Sequence, residues 1–179
     1  MKKVSVVIPM YYEQEVAEVC YKRVKKVLDE LKEKYEHEII FINDGSKDKT
    51  LDILQDIAKV DKNVKIISFS RNFGHQAAVT AGLKYVTGDA IIIIDADLQD
   101  PPELIPDMIE KWEQGYEVIY GKRKKRNGES AFKLLTAKAF YTALNKLSDV
   151  DIPGDTGDFR LVDKKVVDVI NSLPEHNKF

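Results

Sequence analysis

The sequence predicts an α/β fold in which a mostly parallel central sheet is covered by helices on both faces. Segments with strand and helix character alternate along the whole chain, and the strand segments are continuous apolar runs without polar alternation. Such runs are typical of parallel strands, because helices bury both faces of a parallel sheet. The chain has 179 residues, of which 44% are hydrophobic, so we expect a single domain over 1–179 with its own core.

Six strands are predicted from short runs rich in β-branched residues that end at turn residues. Pro9 is expected to end the first strand, and the turn sequence that begins at Asn43 and contains Asp44-Gly45 ends the second. The predicted strands cover 4–8, 39–42, 64–69, 90–94, 118–120 and 159–162.

Helices are predicted between these strands from apolar residues that recur three and four positions apart. The alanine-rich segment 76–86 is expected to pack closely against the sheet. Pro101, Pro102 and Glu103 suit the first turn of the helix that follows them. The predicted helices cover 13–35, 51–58, 76–86, 104–112, 130–147 and 163–173.

The charge balance argues against some classes of partner. The 28 Lys and Arg residues nearly balance the 30 Asp and Glu residues, which leaves a net charge of −2. Because the only dense basic run is one short loop without interleaved aromatic residues, we expect no nucleic-acid partner. The single cysteine, Cys20, excludes an internal disulfide and a cysteine zinc cluster, and we expect it to be buried.

Polar side chains follow the ends of several predicted strands, where ligands bind in parallel α/β sheets. In PMYYEQE, Tyr11 offers a flat ring and Glu13 can accept hydrogen bonds from a base or ribose, although this segment taken alone favours a turn followed by the first turn of a helix. Asp44 lies at the tip of the second strand. In RNFGHQAAVTAG, Gly74 permits close backbone approach or a positive φ, and His75 is expected to be solvated, with a ligand or base role as the alternative.

The stretch IIIIDADLQDPPE ends a buried strand with an uncompensated acidic cluster. Asp95 and Asp97 point the same way on an extended chain, and Gln99 shares that side if the chain stays extended. Two carboxylates this close repel each other, and a low-dielectric site raises the pKa of one of them. Because Mg²⁺ or Mn²⁺ removes this repulsion, the pattern predicts a metal site that also binds substrate phosphate oxygens.

Five segments together resemble the family 2 inverting glycosyltransferases, and among them the polyprenyl-phosphate glycosyltransferases. That group includes bactoprenol glucosyltransferases and dolichol-phosphate mannose synthases. The segments are VSVVIPMYYEQE, IIFINDGSKDKT, RNFGHQAAVTAGL, IIIIDADLQDPPELI and DTGDFRLVDKKVVD. They follow in order over nearly the whole chain, which makes the set far more specific than any single segment.

The resemblance implies a GT-A fold, which is Rossmann-like, and a nucleotide-sugar donor used with Mg²⁺ or Mn²⁺. Members continue into amphipathic and membrane-spanning helices, and no stretch here reaches the ~20 apolar residues that a spanning helix needs. We therefore expect a soluble catalytic fragment of a longer protein that works at the cytoplasmic face of the cell membrane.

The resemblance also implies the nucleotide pocket. Pro9, Tyr11 and Glu13 would line the pocket for base and ribose, and Asp44 would hold the base. Tyr12 departs from the family, which usually has asparagine at this position.

The resemblance further implies the reacting end of the site. Asp95 and Asp97 form the Asp-x-Asp pair that contacts metal and nucleotide, with Gln99 near the metal. Asp158 in DTGDFRL matches the carboxylate proposed as base. We expect Asp158 to orient groups at the sugar and to be less critical than the metal pair.

The basic loop GKRKKRNGE follows the fifth predicted strand. A phosphate monoester acceptor, with a second pKa near ~6, is largely ionised at neutral pH and needs cations more than it needs a base. We expect Arg123 and Arg126 to contact lipid phosphate or diphosphate, because arginine binds phosphate oxygens in bidentate fashion. Arg123 is also a catalytic candidate, and Lys133 is a weaker phosphate-binding candidate. A solvated loop is the alternative.

The leading hypothesis is an enzyme that moves a hexose from a nucleotide sugar, with UDP favoured, to undecaprenyl phosphate. One alternative is a glycosyltransferase that acts on a sugar hydroxyl of a glycan. A second is a nucleotide-binding regulatory domain without turnover. The basic loop also favours an anionic membrane surface, and the sequence leaves a homo-oligomer open.

Overall fold

The computed structural model describes residues 1–122 and 156–175 of the chain. Its strands are β1 (Lys2–Met10), β2 (Tyr35–Asn43), β3 (Val64–Ser68), β4 (Ala90–Ile93), β5 (Val118–Lys122) and β6 (Thr156–Asp163). Within these residues they form one sheet in the order β3-β2-β1-β4-β6-β5. The pairs β3-β2, β2-β1 and β1-β4 are parallel, whereas β6 is antiparallel to both β4 and β5. The prediction of a mostly parallel sheet is confirmed.

Helices lie on both faces of the sheet, as predicted. They are α1 (Ala17–Glu30), α2 (Thr50–Val60), α3 (His75–Tyr85), α4 (Ile105–Glu113) and α5 (Lys164–Ser172), and a short 3₁₀ turn (Pro102–Leu104) precedes α4. Successive strand residues point to opposite faces. The face of β1 that carries Val6 and Ile8 packs against α1, α2 and α4, and Cys20 of α1 is fully buried there, as expected. The face that carries Val7 packs against α3 and α5.

Helix α3 approaches the sheet closely because it carries a glycine at the contact. A Cβ atom added at Gly82 would lie 2.5 Å from Cγ1 of Val7 and 2.9 Å from Cδ1 of Ile42. Ala78, one turn earlier on the same helix, is also fully buried. This geometry confirms the predicted close packing of the alanine-rich segment and brings the first turn of α3 near the strand ends.

Pro9 does not end β1, contrary to the prediction. It pairs with Ile42 of β2, and the strand continues to Met10. The Ile94 N–H donates to the Val7 carbonyl on the β4 side of β1 at 3.1 Å, whereas the Met10 carbonyl accepts from the Asp44 N–H on the β2 side. Residues two apart in a strand face the same neighbour, so Pro9 faces β4, which has already ended. The missing N–H of Pro9 therefore interrupts no ladder bond.

The predicted helix boundaries were less accurate than the helices themselves. The helix predicted over 13–35 is shorter in the structure, where α1 begins at Ala17 and ends at Glu30, and Tyr35 begins β2. Leu31 still packs against the core beyond the helix end, which extended the apparent apolar spacing. The helix predicted over 130–147 lies outside the described residues. No helix in the described part of the chain has both the length and the apolar character needed to cross a membrane.

Candidate active site

A cavity of about 290 Å³ opens at the carboxyl ends of β1, β2 and β4, where the sequence predicted the ligand. Six of the predicted site residues line it: Pro9, Tyr11, Glu13, Asp44, Asp95 and Asp97. Its wall is completed by residues of the loop before α3 and of α3 itself, with Asn72, His75 and Ala78 among them. We call this space the first cavity.

The loop after β1 is held in place by the loop after β2. The N–H of Tyr12 donates to Oγ of Ser46 at 3.0 Å, and the N–H of Glu13 donates to Oγ1 of Thr50 at 2.9 Å. Tyr12 has a φ of 58°, in the left-handed region that asparagine adopts more readily than tyrosine. This backbone conformation gives a physical reason for the asparagine that the family resemblance leads us to expect here. Tyr11 and Tyr12 stack edge to face with ring centroids 4.6 Å apart.

Asp44 fixes the loop that leads into α3. Its side chain is buried, and its two carboxylate oxygens accept the N–H groups of Phe73 at 2.7 Å and Gly74 at 2.9 Å. Gly74 has a φ of 95° and open space where a Cβ atom would lie, so of the two reasons for a glycine here the positive φ is confirmed and close backbone approach is not. Each oxygen of Asp44 has a second lone pair, so it can still accept a hydrogen bond from a ligand in the first cavity.

Asp95 and Asp97 both line the first cavity, but they do not lie on an extended chain. β4 ends at Ile93, the chain turns at Ala96 and Asp97, and Leu98 has a φ of 56°. The Gln99 N–H donates to Oδ1 of Asp97 at 3.0 Å, as in an Asx turn. The premise that placed Gln99 on the same side as the two aspartates was therefore wrong. Gln99 is exposed and is not among the described residues that line the cavity.

The first cavity is electrostatically negative. Burial raises the pKa of Glu13, and the carboxylates of Asp97, Asp48 and Asp95 raise it further. Burial also raises the pKa of Asp95, with Asp158 and Asp97 acting in the same direction and His75 against it. The predicted conflict between neighbouring carboxylates is therefore present. Hard carboxylate oxygens that repel one another in a partly buried cavity fit a divalent cation such as Mg²⁺ or Mn²⁺.

The antiparallel strand β6 brings Asp158 next to Asp95. β4 and β6 pair with Ile93 opposite Arg160, and continuing this register by two residues places Asp158 opposite Asp95. The His75 ring lies between the two carboxylates, with Nδ1 3.8 Å from Oδ1 of Asp95 and Nε2 3.5 Å from Oδ2 of Asp158. The His75 side chain is 44% exposed, as expected, but it also contacts both carboxylates, so the alternative of a ligand or base role stays open. His75, Asp95 and Asp158 each offer a ligand atom within 4.8 Å of the others, so this trio is a further candidate for holding a metal ion.

A second cavity of about 210 Å³ lies on the other side of His75. The described residues that line it are His75, Gln76, Val79, Ile93, Asp158 and Arg160. His75 is thus a shared wall between the two cavities. Sequence reasoning missed Gln76 and Arg160, although both stand inside segments that it had singled out, RNFGHQAAVTAG and DTGDFRL.

The predicted phosphate-binding residues Arg123, Arg126 and Lys133 lie outside the described residues. Their proposed contacts stay predictions. Strand β5 extends to Lys122 and so includes the first two residues of the basic segment, whereas the sequence predicted that the strand ends at Tyr120.

Comparison with known proteins identifies relatives of this chain. The model of the family described as "Glycosyl transferase family 2" matches residues 5–170. "Uncharacterized glycosyltransferase YkcC" of Bacillus subtilis (strain 168) is 56% identical over 175 residues, which cover 98% of this chain and 54% of that protein. "Prophage bactoprenol glucosyl transferase homolog" of Escherichia coli (strain K12) is 48% identical over 177 residues, 99% of this chain and 57% of that protein. The chain thus spans about half the length of these curated relatives.

Solved structures share the fold. Glucosyl-3-phosphoglycerate synthase from Mycobacterium tuberculosis, in complex with Mn²⁺, UDP-glucose and phosphoglyceric acid, superposes with a TM-score of 0.65 at 21% identity, over 92% of this chain and 58% of that one. Mannosyltransferase PcManGT from Pyrobaculum calidifontis, in complex with GDP-Man and Mn²⁺, superposes with a TM-score of 0.66 at 17% identity. The superposition covers 99% of this chain and 50% of that one. At these identities the likeness establishes the fold, which is the GT-A fold.

The order of the strands, the acidic cavity at their carboxyl ends and the family match over residues 5–170 lead to the same assignment. This chain belongs to glycosyl transferase family 2.

Proposed function

We propose that this domain transfers a hexose from a nucleotide sugar, with UDP-glucose or a related UDP-sugar as donor, to undecaprenyl phosphate. The observation that carries the proposal is the first cavity, where the side chains suited to a nucleoside meet the Asp95-Asp97 pair. Relatives named bactoprenol glucosyl transferase, 48% identical over the chain, support the lipid acceptor. The UDP-glucose complex of a solved neighbour supports the donor, although another neighbour was solved with GDP-Man.

The charge of the first cavity opposes the binding of a diphosphate. Four carboxylates line it, those of Glu13, Asp44, Asp95 and Asp97, and no lysine or arginine does so among the described residues. In a partly buried site, these carboxylates would strongly repel the negatively charged phosphate groups. A divalent cation, Mg²⁺ or Mn²⁺, would reverse this repulsion and act as a Lewis acid on the diphosphate leaving group. We propose that Asp95 and Asp97 hold it.

The residues of the chain would divide the remaining work. Tyr11 and Glu13, which line the first cavity, would contact the base and ribose, while Asp44 keeps the loop before α3 in the position that forms the cavity wall. Asp158 lies 3.5 Å from His75 and is half exposed, so it is accessible to the sugar or to an incoming acceptor. Because a phosphate acceptor is already ionised, Asp158 would orient groups at the sugar and would not need to remove a proton.

The acceptor implies a membrane setting. A polyprenyl phosphate has its reactive phosphate at a lipid surface, and we propose that the domain works at the cytoplasmic face of the cell membrane. Arg123 and Arg126, with Lys133 as a weaker candidate, would bind the phosphate and favour an anionic surface.

Thermal unfolding in the presence of nucleotide sugars tests the donor. UDP-glucose, GDP-mannose and dTDP-glucose would be compared with and without Mn²⁺. We expect UDP-glucose with Mn²⁺ to stabilise the chain by about 2.7 kcal/mol at a hundredfold excess over Kd, a rise in Tm of roughly 5–10 °C. Asp97→Asn should lose the Mn²⁺-dependent part, whereas Asp107→Asn, an exposed aspartate of α4 that lines neither cavity, should keep it. If UDP-glucose stabilises the chain equally with and without Mn²⁺, the proposed metal site is contradicted.

Transfer of labelled glucose to undecaprenyl phosphate, measured on the full-length protein, tests the reaction. We expect Asp97→Asn to reduce turnover by more than about 100-fold, and Asp158→Asn to reduce it less. Equal losses would mean that Asp158 is as important as the metal pair. Transfer to oligosaccharides without lipid phosphate would favour a glycan acceptor, and donor binding without any turnover would favour a regulatory domain.

A further inference from the structure

The second cavity has the composition of a site for a neutral polyhydroxyl ligand. Val79 and Ile93 are almost fully buried and give it an apolar base, while Gln76, Asp158 and Arg160 supply the polar groups. Apolar lining with a few convergent polar groups is typical of small-molecule sites. The amide of Gln76 is both a donor and an acceptor of hydrogen bonds, as a hydroxyl requires.

Among the described residues, the charges that line this cavity are balanced, in contrast to those of the first cavity. Nη2 of Arg160 lies 3.1 Å from Oδ1 of Asp158, and Nε of Arg160 donates to the Asp158 carbonyl at 3.3 Å. These two residues carry opposite charges, and the other described residues of the cavity are neutral when His75 is neutral. A dianionic phosphate would be repelled by Asp158 and would have to compete with it for Arg160. An uncharged sugar meets neither cost.

The two cavities are adjacent, and this limits what the second one can bind. His75 lines both of them, and its ring nitrogens face Asp95 on one side and Asp158 on the other. A ligand with a charged half in the first cavity and an uncharged half in the second would extend past this ring. A nucleoside diphosphate joined to a hexose is such a ligand.

We propose that the second cavity holds the hexose of the donor, and that Gln76 is a specificity-determining residue that hydrogen-bonds its hydroxyls. This inference rests on the proposed function and adds a location for the sugar. Gln76 lies in the first turn of α3, and the Asp44 hydrogen bonds to Phe73 and Gly74 fix the loop before it. The side chain is exposed at its position, so it is available to a ligand.

Calorimetric titration of the chain with UDP-glucose and with UDP, both in Mn²⁺, tests this inference without measuring turnover. We expect Gln76→Ala to weaken UDP-glucose binding roughly threefold to tenfold, the effect of one hydrogen bond, and to leave UDP binding unchanged. The matched control is Gln55→Ala, since Gln55 is an exposed glutamine of α2 that lines neither cavity. It should change neither affinity. Thermal unfolding without ligand should be the same for both variants.

Two results would overturn this inference and leave the proposed function standing. Gln76→Ala that leaves UDP-glucose affinity unchanged would show that the hexose lies elsewhere. Equal weakening of UDP and UDP-glucose would assign Gln76 to the diphosphate. If the unsubstituted chain binds neither ligand with Mn²⁺, the proposed UDP-sugar donor fails together with the inference.

Discussion

Asp44 and Gly45 show how neighbouring residues can serve the site in different ways. Asp44 accepts two backbone N–H groups and so fixes the loop before α3. Gly45 has a φ of 69°, and a Cβ atom added there would lie 2.3 Å from the carbonyl carbon of Arg71 and 2.7 Å from the Asn72 nitrogen. Only glycine allows the two loops to approach this closely, because the contact is with backbone that cannot rotate away.

The substitution Gly45→Ala should therefore separate the loops that form the first cavity. We expect the free energy of unfolding to fall by more than about 2 kcal/mol, from left-handed strain together with the steric clash, and Mn²⁺-dependent nucleotide binding to weaken. Chemical denaturation and titration with UDP would measure the two effects. Gly115→Ala is the control, because Gly115 has a φ of 98° but open space around it, so strain alone should cost about 1 kcal/mol. Equal losses for the two variants would argue against the clash.

At the scale of elements, one aspartate joins α4, β6 and α5. Asp163 ends β6 and caps α5, where Oδ1 accepts the Lys165 N–H at 2.8 Å. Its Oδ2 accepts a hydrogen bond from the Nε1–H group of Trp112, on α4, at 2.7 Å. Burial alone would raise the pKa of Asp163, but the hydrogen bonds from Trp112 and from the Lys165 N–H outweigh it, so the pKa lies below its ordinary value. The contact therefore joins α4 to the end of β6 and the start of α5.

We expect Asp163→Ala to lower the free energy of unfolding by about 2–3 kcal/mol, because it removes a helix cap and leaves the largely buried indole N–H without its partner. Trp112→Phe removes the hydrogen-bond donor but keeps the helix cap. The lost hydrogen bond should therefore lower the free energy of unfolding by only about 1 kcal/mol, apart from changes in packing. A double-mutant cycle by urea denaturation would isolate the contact, with an expected coupling of about 1 kcal/mol. Strict additivity would show that the hydrogen bond contributes nothing to stability.

At the scale of the whole molecule, the two ends of the sheet place carboxylates in opposite environments. The carboxyl ends of the strands gather Glu13 and Asp95, whose pKa values are raised by burial and by neighbouring carboxylates. Near the amino ends, Glu38 is fully buried and accepts hydrogen bonds from Ser5 at 2.6 Å, Lys65 at 2.6 Å and the Thr87 N–H at 2.7 Å. One end is thus arranged to bind a cation, and the other is internally neutralised and stabilises the fold.

The Glu38 network predicts how stability depends on pH. Burial alone would raise its pKa, but the hydrogen bonds from Lys65, Ser5 and Thr87 outweigh it and lower the pKa to about 2. Because the pKa is lower in the folded state than in the unfolded chain, the stabilisation is present above the ordinary pKa and is lost as the pH falls from about 5 towards 2. At neutral pH it amounts to roughly 3 kcal/mol.

We expect Glu38→Gln to be less stable than the unsubstituted chain at pH 7 by about 2–4 kcal/mol, and this difference to shrink towards pH 3. Urea denaturation at both pH values measures it. Glu36→Gln, an exposed position two residues away on the same strand, should change stability by less than about 0.5 kcal/mol. A difference for Glu38→Gln that does not depend on pH would contradict the ionised network.

Much of the fold was predictable because its signals are local. Continuous apolar runs identified the strands, and the residues that followed them identified most of the first cavity, since parallel strands end at a common edge. Burial of Cys20 and the positive φ of Gly74 followed from residue type and position. Element boundaries were less accurate, as at Pro9 and at Leu31, because neighbouring strands and the core extend or mask local patterns.

The sequence by itself determined the alternation of strands and helices and the acidic character of the loop that follows β4. Only the tertiary structure decided that β6 runs antiparallel beside β4, which brings Asp158 near Asp95 with the His75 ring between the two carboxylates. These residues are 20 to 83 positions apart in the chain, so no periodicity or spacing relates them. Their proximity depends on strand order and register, which follow from how the whole sheet packs and not from any one segment.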